Sequence, residues 1–297
     1  MGYIAMKRSV GVLMLIVAAA LWGSSFPVIK LVLRYLDVYT YLWLRSAIAL
    51  AILLPLTIRV LERNRGLFLS SARGGVLTGL AYVAGLGLQA LGMTMTTASK
   101  AAFITGFSTV FVHLYTSLRH RHYRLDLMIS LILAFAGLYL MTKPSGGLNM
   151  GDVIILASAV AWAAQVILVD KYSPGSEPFT FVFFETAPTL FFIVPSTLLG
   201  FSFQELEPVA LASILYLAIT CSVLAFTLQV KGQRVVDPAT AVIIYQTEPV
   251  FASIVAWFLL GEYMSSLELV GAGLILAATL IAARGYVSEL ESTEPRM

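Results

Sequence analysis

Apolar residues along this chain gather in long, nearly unbroken runs, and short polar stretches separate them. A helix needs about 20 apolar residues to cross the hydrocarbon core of a bilayer. About ten runs approach that length, at 10–32, 38–58, 74–96, 101–118, 126–143, 152–170, 178–200, 209–230, 239–259 and 267–284. Turn chemistry closes two of them: Lys143-Pro144-Ser145-Gly146-Gly147 after the fifth and Ser173-Pro174-Gly175 after the sixth. The pattern predicts an all-α integral membrane protein with about ten transmembrane helices.

One run departs from this simplicity. Between Asp237 and Glu262 the chain is long and apolar enough to span, yet Tyr245, Gln246, Thr247, Glu248 and Pro249 stand in a row at its middle. A carboxylate near the centre of a spanning helix costs about 2.5–3.5 kcal/mol on insertion scales, so it should face a bundle interior or a wet cavity. Pro249 removes a backbone donor at the same level, which predicts a helix break. Pro27 predicts a second break in the first span.

Sliding the chain against itself by 140 positions superposes Trp22 on Trp162, Thr40 on Thr180 and Pro55 on Pro195. The same shift places Gln89 and Gly92 on Gln229 and Gly232, and Val110 and Phe111 on Val250 and Phe251. Two units follow, 1–148 and 149–297, each with about five spans. An odd number of spans inverts the second unit in the membrane, and inverted repeats hold their ligand between them near the midplane.

Composition agrees with the runs: 59% of residues are apolar and 12% charged, against about 25% charged in soluble domains. The net charge of +3 predicts no nucleic-acid partner. Cations cluster in alternate loops: Arg59, Arg63, Arg65, Arg73, Arg119, Arg121 and Arg124 on one side, against Lys30, Arg34, Lys100 and Lys143 on the other. That asymmetry predicts cytoplasmic termini in a cell (plasma) membrane protein. Lys7 and Arg8 before an apolar run look like the start of a signal peptide, but the internal copy of that run marks it as a retained helix. Cys221 stands alone in an apolar run and reads as a packing residue.

The motifs, taken in order, resemble the drug/metabolite transporter superfamily in its ten-helix EamA-type branch. They are LWGSSFPVIK (21–30), LRSA with Arg45, SKAAFITGFSTVF (99–111), the 237–262 stretch and the last span with Gly271 and Gly273. The resemblance covers essentially the whole chain, with one departure: the second-unit copy of LWGSSF is AWAAQV, where Gln165 carries the polarity. The resemblance implies a secondary-active transporter, an exporter in many members, for small metabolites such as neutral or aromatic amino acids. It implies alternating access about a central cavity. The alternatives are another solute class (drug-like compounds, nucleoside or sugar derivatives) and a non-transport membrane role.

Candidate cavity residues are Trp22, Ser25, Tyr82, Gln89, Thr105, Trp162, Gln165, Gln229, Tyr245 and Gln246, on the first, third, fourth, sixth, eighth and ninth spans. The glutamines either bind a polar solute or hold helices together, and the tryptophans either stack on a solute or pack the bundle. Arg45 and Glu185, repeat-related, are candidates for gating, with snorkelling or a structural role as the rival for Arg45. Glu248 either titrates during transport or bonds to backbone freed by Pro249. Gly75 and Gly79 read as a close-packing pair. Lys100, Asp237 and Glu262 read as charges at the membrane boundary. His113 has no partner at ligand spacing, so no metal is predicted, and no cofactor is called for. The chain lacks a phosphate-binding loop and any recognisable catalytic set, which predicts a non-enzyme. The partners foreseen are a small-molecule substrate, the lipid bilayer and, as a candidate coupling ion, the proton; a monomer would suffice.

Overall fold

The computed structural model describes residues 2–120, 129, 132–133, 135–137, 139–140, 147–201 and 206–293. Among these residues the regular structure is helical throughout, and eight helical segments are long and apolar enough to cross a membrane. They are Ser9–Val32, Val38–Arg63, Arg65–Met93, Ala98–Arg119, Met150–Tyr172, Pro178–Leu198, Pro208–Gly232 and Pro238–Leu260. The last span begins the helix Ser266–Thr293, whose apolar part is the shorter Ser266–Ala278. Most of the fifth predicted span (126–143) lies outside the described residues, as do Arg121, Arg124, Lys143 and residues 144–146 of the turn that follows it. Large apolar side chains such as Leu80 and Phe258 stand 64% and 75% exposed on the outer surface, where lipid replaces water as the favourable neighbour.

Two boundaries differ from the hydropathy reading for a local reason. Span 2 runs to Arg63 and span 3 starts at Arg65, leaving Asn64 as the whole connection. The Asn64 backbone N–H bonds the Val60 carbonyl, closing one helix, while its side chain accepts from Leu67 N and opens the next. Hydropathy windows miss such polar helical ends, because the arginines there lower the mean although they sit in helix.

The repeat reappears as matched helix breaks. Span 4 is split into Ala98–Thr105 and Ser108–His120, and span 9 into Pro238–Tyr245 and Glu248–Leu260. Shifted by 140, the four ends coincide. Pro249 explains the second break: it has no N–H to give the Tyr245 carbonyl. The first break has no proline. There Gln246 donates from Nε2 to the Gly106 carbonyl and to Thr109 Oγ1, while Thr109 donates to the Val242 carbonyl. The two breaks therefore hold each other. Residue 106 must be small, since a Cβ there would sit 2.9 Å from Gln246 Oε1.

Elsewhere the halves diverge. Span 7 tightens to a 3₁₀ stretch at Ala187–Phe192, where Pro188 falls, and span 8 widens to a π-helix at Leu217–Ala225. Their first-unit counterparts are regular helix. Pro27 does not break span 1: Gly2–Val32 is continuous through it, which corrects the predicted break. One missing backbone bond is tolerated where neighbouring helices pack around the site, and Gly23, four residues back, lies against the Glu248 carbonyl and Phe251. Gly75 and Gly79 let span 3 approach the backbone of Phe181 and Glu185 on span 7, in keeping with a packing pair.

Candidate functional site

A cavity of about 680 Å³, counting the open space at its mouth, lies where the broken helices meet. Its wall includes Trp22, Ser25, Gln89, Thr105, Trp162, Gln165, Gln229, Tyr245 and Gln246, together with Arg45, Glu248 and Pro249. The sequence pattern points to each of these residues. Leu86, Phe226, Gly106 and Ser108 also line it; the offset of 140 that pairs Leu86 with Phe226 and Ser108 with Glu248 was the signal that could have found them. The wall is built largely of such pairs, as expected of a site on the pseudo-two-fold axis.

Two predicted residues stand one layer back. Tyr82 is fully buried, because Trp162 lies over Gly85 and closes off that face of span 3. Tyr82 instead meets the edges of Trp162 and Phe226, with centroids 5.8 and 5.0 Å away. Glu185 is also fully buried and reaches the cavity only through Gln165, whose Nε2 donates to its Oε1 at 2.7 Å.

The aromatic part of the wall is tightly joined. The Trp22 ring lies 4.9 Å from Phe226 and 5.3 Å from Tyr245. Trp22 donates from Nε1 to the Cys221 carbonyl, and Trp162 from Nε1 to Gln89 Oε1 at 2.7 Å. These bonds fix both indole planes near the middle of their spans rather than at the span ends, where tryptophan usually collects. Gln165 and Gln229 exchange amide hydrogen bonds of 3.0 and 3.1 Å, so these two glutamines hold helices as well as line the cavity.

Two opposite charges face the same space without meeting. Arg45 is 2% exposed and does not snorkel. Its Nε donates to Ser222 Oγ at 2.7 Å and its Nη1 to the Tyr41 hydroxyl at 2.6 Å. Ser222 belongs to the π-helix, whose altered register turns this hydroxyl toward the guanidinium. Glu248 opens the second half of span 9 at the cavity wall. Among the described residues no hydrogen bond to Glu248 is found, and the ion pair found there joins other groups.

That ion pair joins Lys100, near the start of span 4, to the start of span 6. Lys100 is 4% exposed and bonds at 3.2 Å to Asp152, which is wholly buried and which hydropathy had not singled out. Thr96 adds a hydrogen bond of 2.7 Å to the same carboxylate. Glu262 accepts from the backbone N–H groups of Ala98 and Ser99, capping the first half of span 4 from across the bundle. Asp237 accepts from Thr240 N and caps span 9. At the end of the bundle bearing Asp237, Arg234 donates to the Ser173 and Ser176 carbonyls; partial burial holds its guanidinium below its ordinary pKa, with Glu177 opposing the shift. His113 pairs through Nδ1 with the Thr109 carbonyl, and among the described residues no three His, Cys, Asp or Glu side chains gather to hold a metal.

Comparison with known proteins agrees with this architecture. The EamA-like transporter family matches the chain twice, over residues 9–143 and 149–284. Relatives include two proteins of Archaeoglobus fulgidus, each named an uncharacterized transporter. One is 28% identical over 93% of this chain and 87% of its own length, the other 25% identical over 91% and 96%. A solved crystal structure superposes with a TM-score of 0.66 at 16% identity, covering 93% of this chain and 98% of that one; at that identity the likeness concerns the fold. With both halves matched and the apolar spans in place, the chain belongs to the EamA-like transporter family, within the drug/metabolite transporter superfamily, and is a multi-pass membrane protein.

Proposed function

We propose that the protein is a secondary-active exporter of small zwitterionic metabolites, neutral or aromatic amino acids foremost, working by alternating access about the central cavity. One observation carries the solute class: Arg45 and Glu248 border a single cavity, unpaired with each other, beside the aromatic wall of Trp22, Trp162, Phe226 and Tyr245. A carboxylate suits the guanidinium fork, an ammonium suits Glu248, and a side chain would rest on the rings. A phosphate ester would call for several cations, and Arg45 is the one cation on this wall among the described residues.

In this reading the cytoplasmic side is the arginine-rich one, with both termini there, in the cell membrane. Two of the cations assigned to the outer loops are engaged inside the fold: Lys30 donates to the Met93 and Thr96 carbonyls, and Lys100 to Asp152. This sharpens the charge asymmetry. The Lys100–Asp152 pair and the Glu262 cap each join one unit to the other at the outer end, so they act as the gate that parts when the cavity opens outward.

Counterflow in proteoliposomes tests the proposal, with labelled neutral and aromatic amino acids against a nucleoside and a drug-like aromatic cation. Saturable exchange of an amino acid, competed by others, is expected. Exchange of the nucleoside alone would move the solute class to uncharged aromatics, for which the ring-lined wall also provides.

A further inference from the structure

Glu185 is a buried carboxyl that does not line the cavity. It is fully buried in span 7, and its Oε1 accepts one hydrogen bond, from Gln165 at 2.7 Å. Among the described residues its Oε2 meets no hydrogen-bond partner. Tyr82, its titratable neighbour on span 3, is buried, as is the adjacent Thr186. The elements packed against this helix bring few charges. Span 2 offers Arg45 and Tyr41, which are bonded to each other, and the π-helix offers Cys221. The end of span 8 offers Lys231, which lies over the Phe179 ring at 5.0 Å, and Arg73 on span 3 is exposed. None of them forms an ion pair with Glu185.

An ionised carboxylate so placed would be stranded, with one donor for two oxygens. Gln165 joins it to the cavity, bonding Glu185 and Gln229 at once. We propose that Glu185 is a proton-binding site that couples transport to the proton gradient. In the closed state Oε2 carries the proton. When the bundle opens and water reaches the carboxyl, the proton leaves to that side, and Gln165 transmits the change to the solute site. The coupling rests on the transport reading above; the proton site itself does not.

The tests keep the two apart. Infrared difference spectra of the purified protein, taken across a pH jump without solute, should show a protonated carboxylic acid that ionises. The Glu185→Gln variant should lose that band, while Glu248→Gln should keep it. If Glu185→Gln fails to fold, Glu185→Asp should shift the band in frequency and in midpoint pH. A band that survives in Glu185→Gln or stays unmoved in Glu185→Asp, or none in the unmodified protein, overturns the proton site. In proteoliposomes, one proton per solute should drive about tenfold accumulation per unit of imposed pH gradient, inward or outward according to the sign of the coupling. Glu185→Gln should show none while still exchanging labelled solute. Equal gradient response in the variant and the unmodified protein, or no response in either, overturns the coupling even where counterflow succeeds.

Discussion

At the scale of single residues, the decisive matter is how each polar group inside the membrane is satisfied. Arg45 keeps its charge at depth because a hydroxyl on its own helix and another on the π-helix accept from it, leaving the rest of the fork for the cavity. Lysine, with one nitrogen on a flexible stem, cannot hold both hydroxyls and also face a carboxylate in a fork geometry. Arg45→Lys should therefore weaken apparent affinity for a carboxylate-bearing solute by roughly 10–100-fold, the equivalent of a lost charge-assisted hydrogen bond. The variant's chromatographic profile should not change, and a KM equal to that of the unmodified protein would remove Arg45 from the binding site. That Arg45 and Glu248 were worth attention was legible in the chain, since charges in apolar runs are conspicuous. Asp152 was not, because it sits at the edge of a run and gains its meaning only from Lys100.

At the scale of elements, the two broken helices act as one device. Gly106 yields its space and its carbonyl to Gln246, so Gly106→Val should destabilise the protein by about 1–3 kcal/mol in detergent melts, as overpacking does. Combined with Gln246→Ala, the loss should be clearly less than additive, since both changes act on one contact; strict additivity would mean that the breaks are independent. The two prolines should behave differently. Pro27→Ala, in a helix already continuous, should leave flux unaltered and the melting temperature equal or higher. Pro249→Ala restores a donor to the Tyr245 carbonyl and should slow flux by favouring an unbroken span 9. Equal effects of the two on flux would argue that the break is incidental to transport. Pro249 announced its break in the chain; the matching break at Gly106 was silent there, because a tertiary amide rather than a missing N–H completes it.

At the scale of the whole molecule, the two inverted units are joined at one end by a buried ion pair and a carboxylate cap. Removing one partner of such a pair typically costs about 3–5 kcal/mol, so Asp152→Asn should lower the melting temperature. It should also raise thiol labelling of a cysteine placed at Ser99, beside the Glu262 cap. Replacing both partners with apolar residues should restore much of the stability, but labelling at position 99 should stay high. Labelling that does not rise in Asp152→Asn would mean that this end does not open through the pair. Hydropathy, charge placement and a fixed offset determined, without coordinates, that the chain spans a membrane about ten times as two inverted units, and they marked most of the residues around the central cavity. They sufficed because transfer into hydrocarbon is a local property of each segment and the offset is a property of the chain. Only the tertiary structure decided that Tyr82 and Glu185 stand behind the wall, that Pro27 leaves its helix whole, that Lys100 is buried against Asp152 and that Gly106 breaks with Gln246. Each of those outcomes depends on which neighbour fills a space or completes a hydrogen bond, and that neighbour lies on another helix far away in the chain.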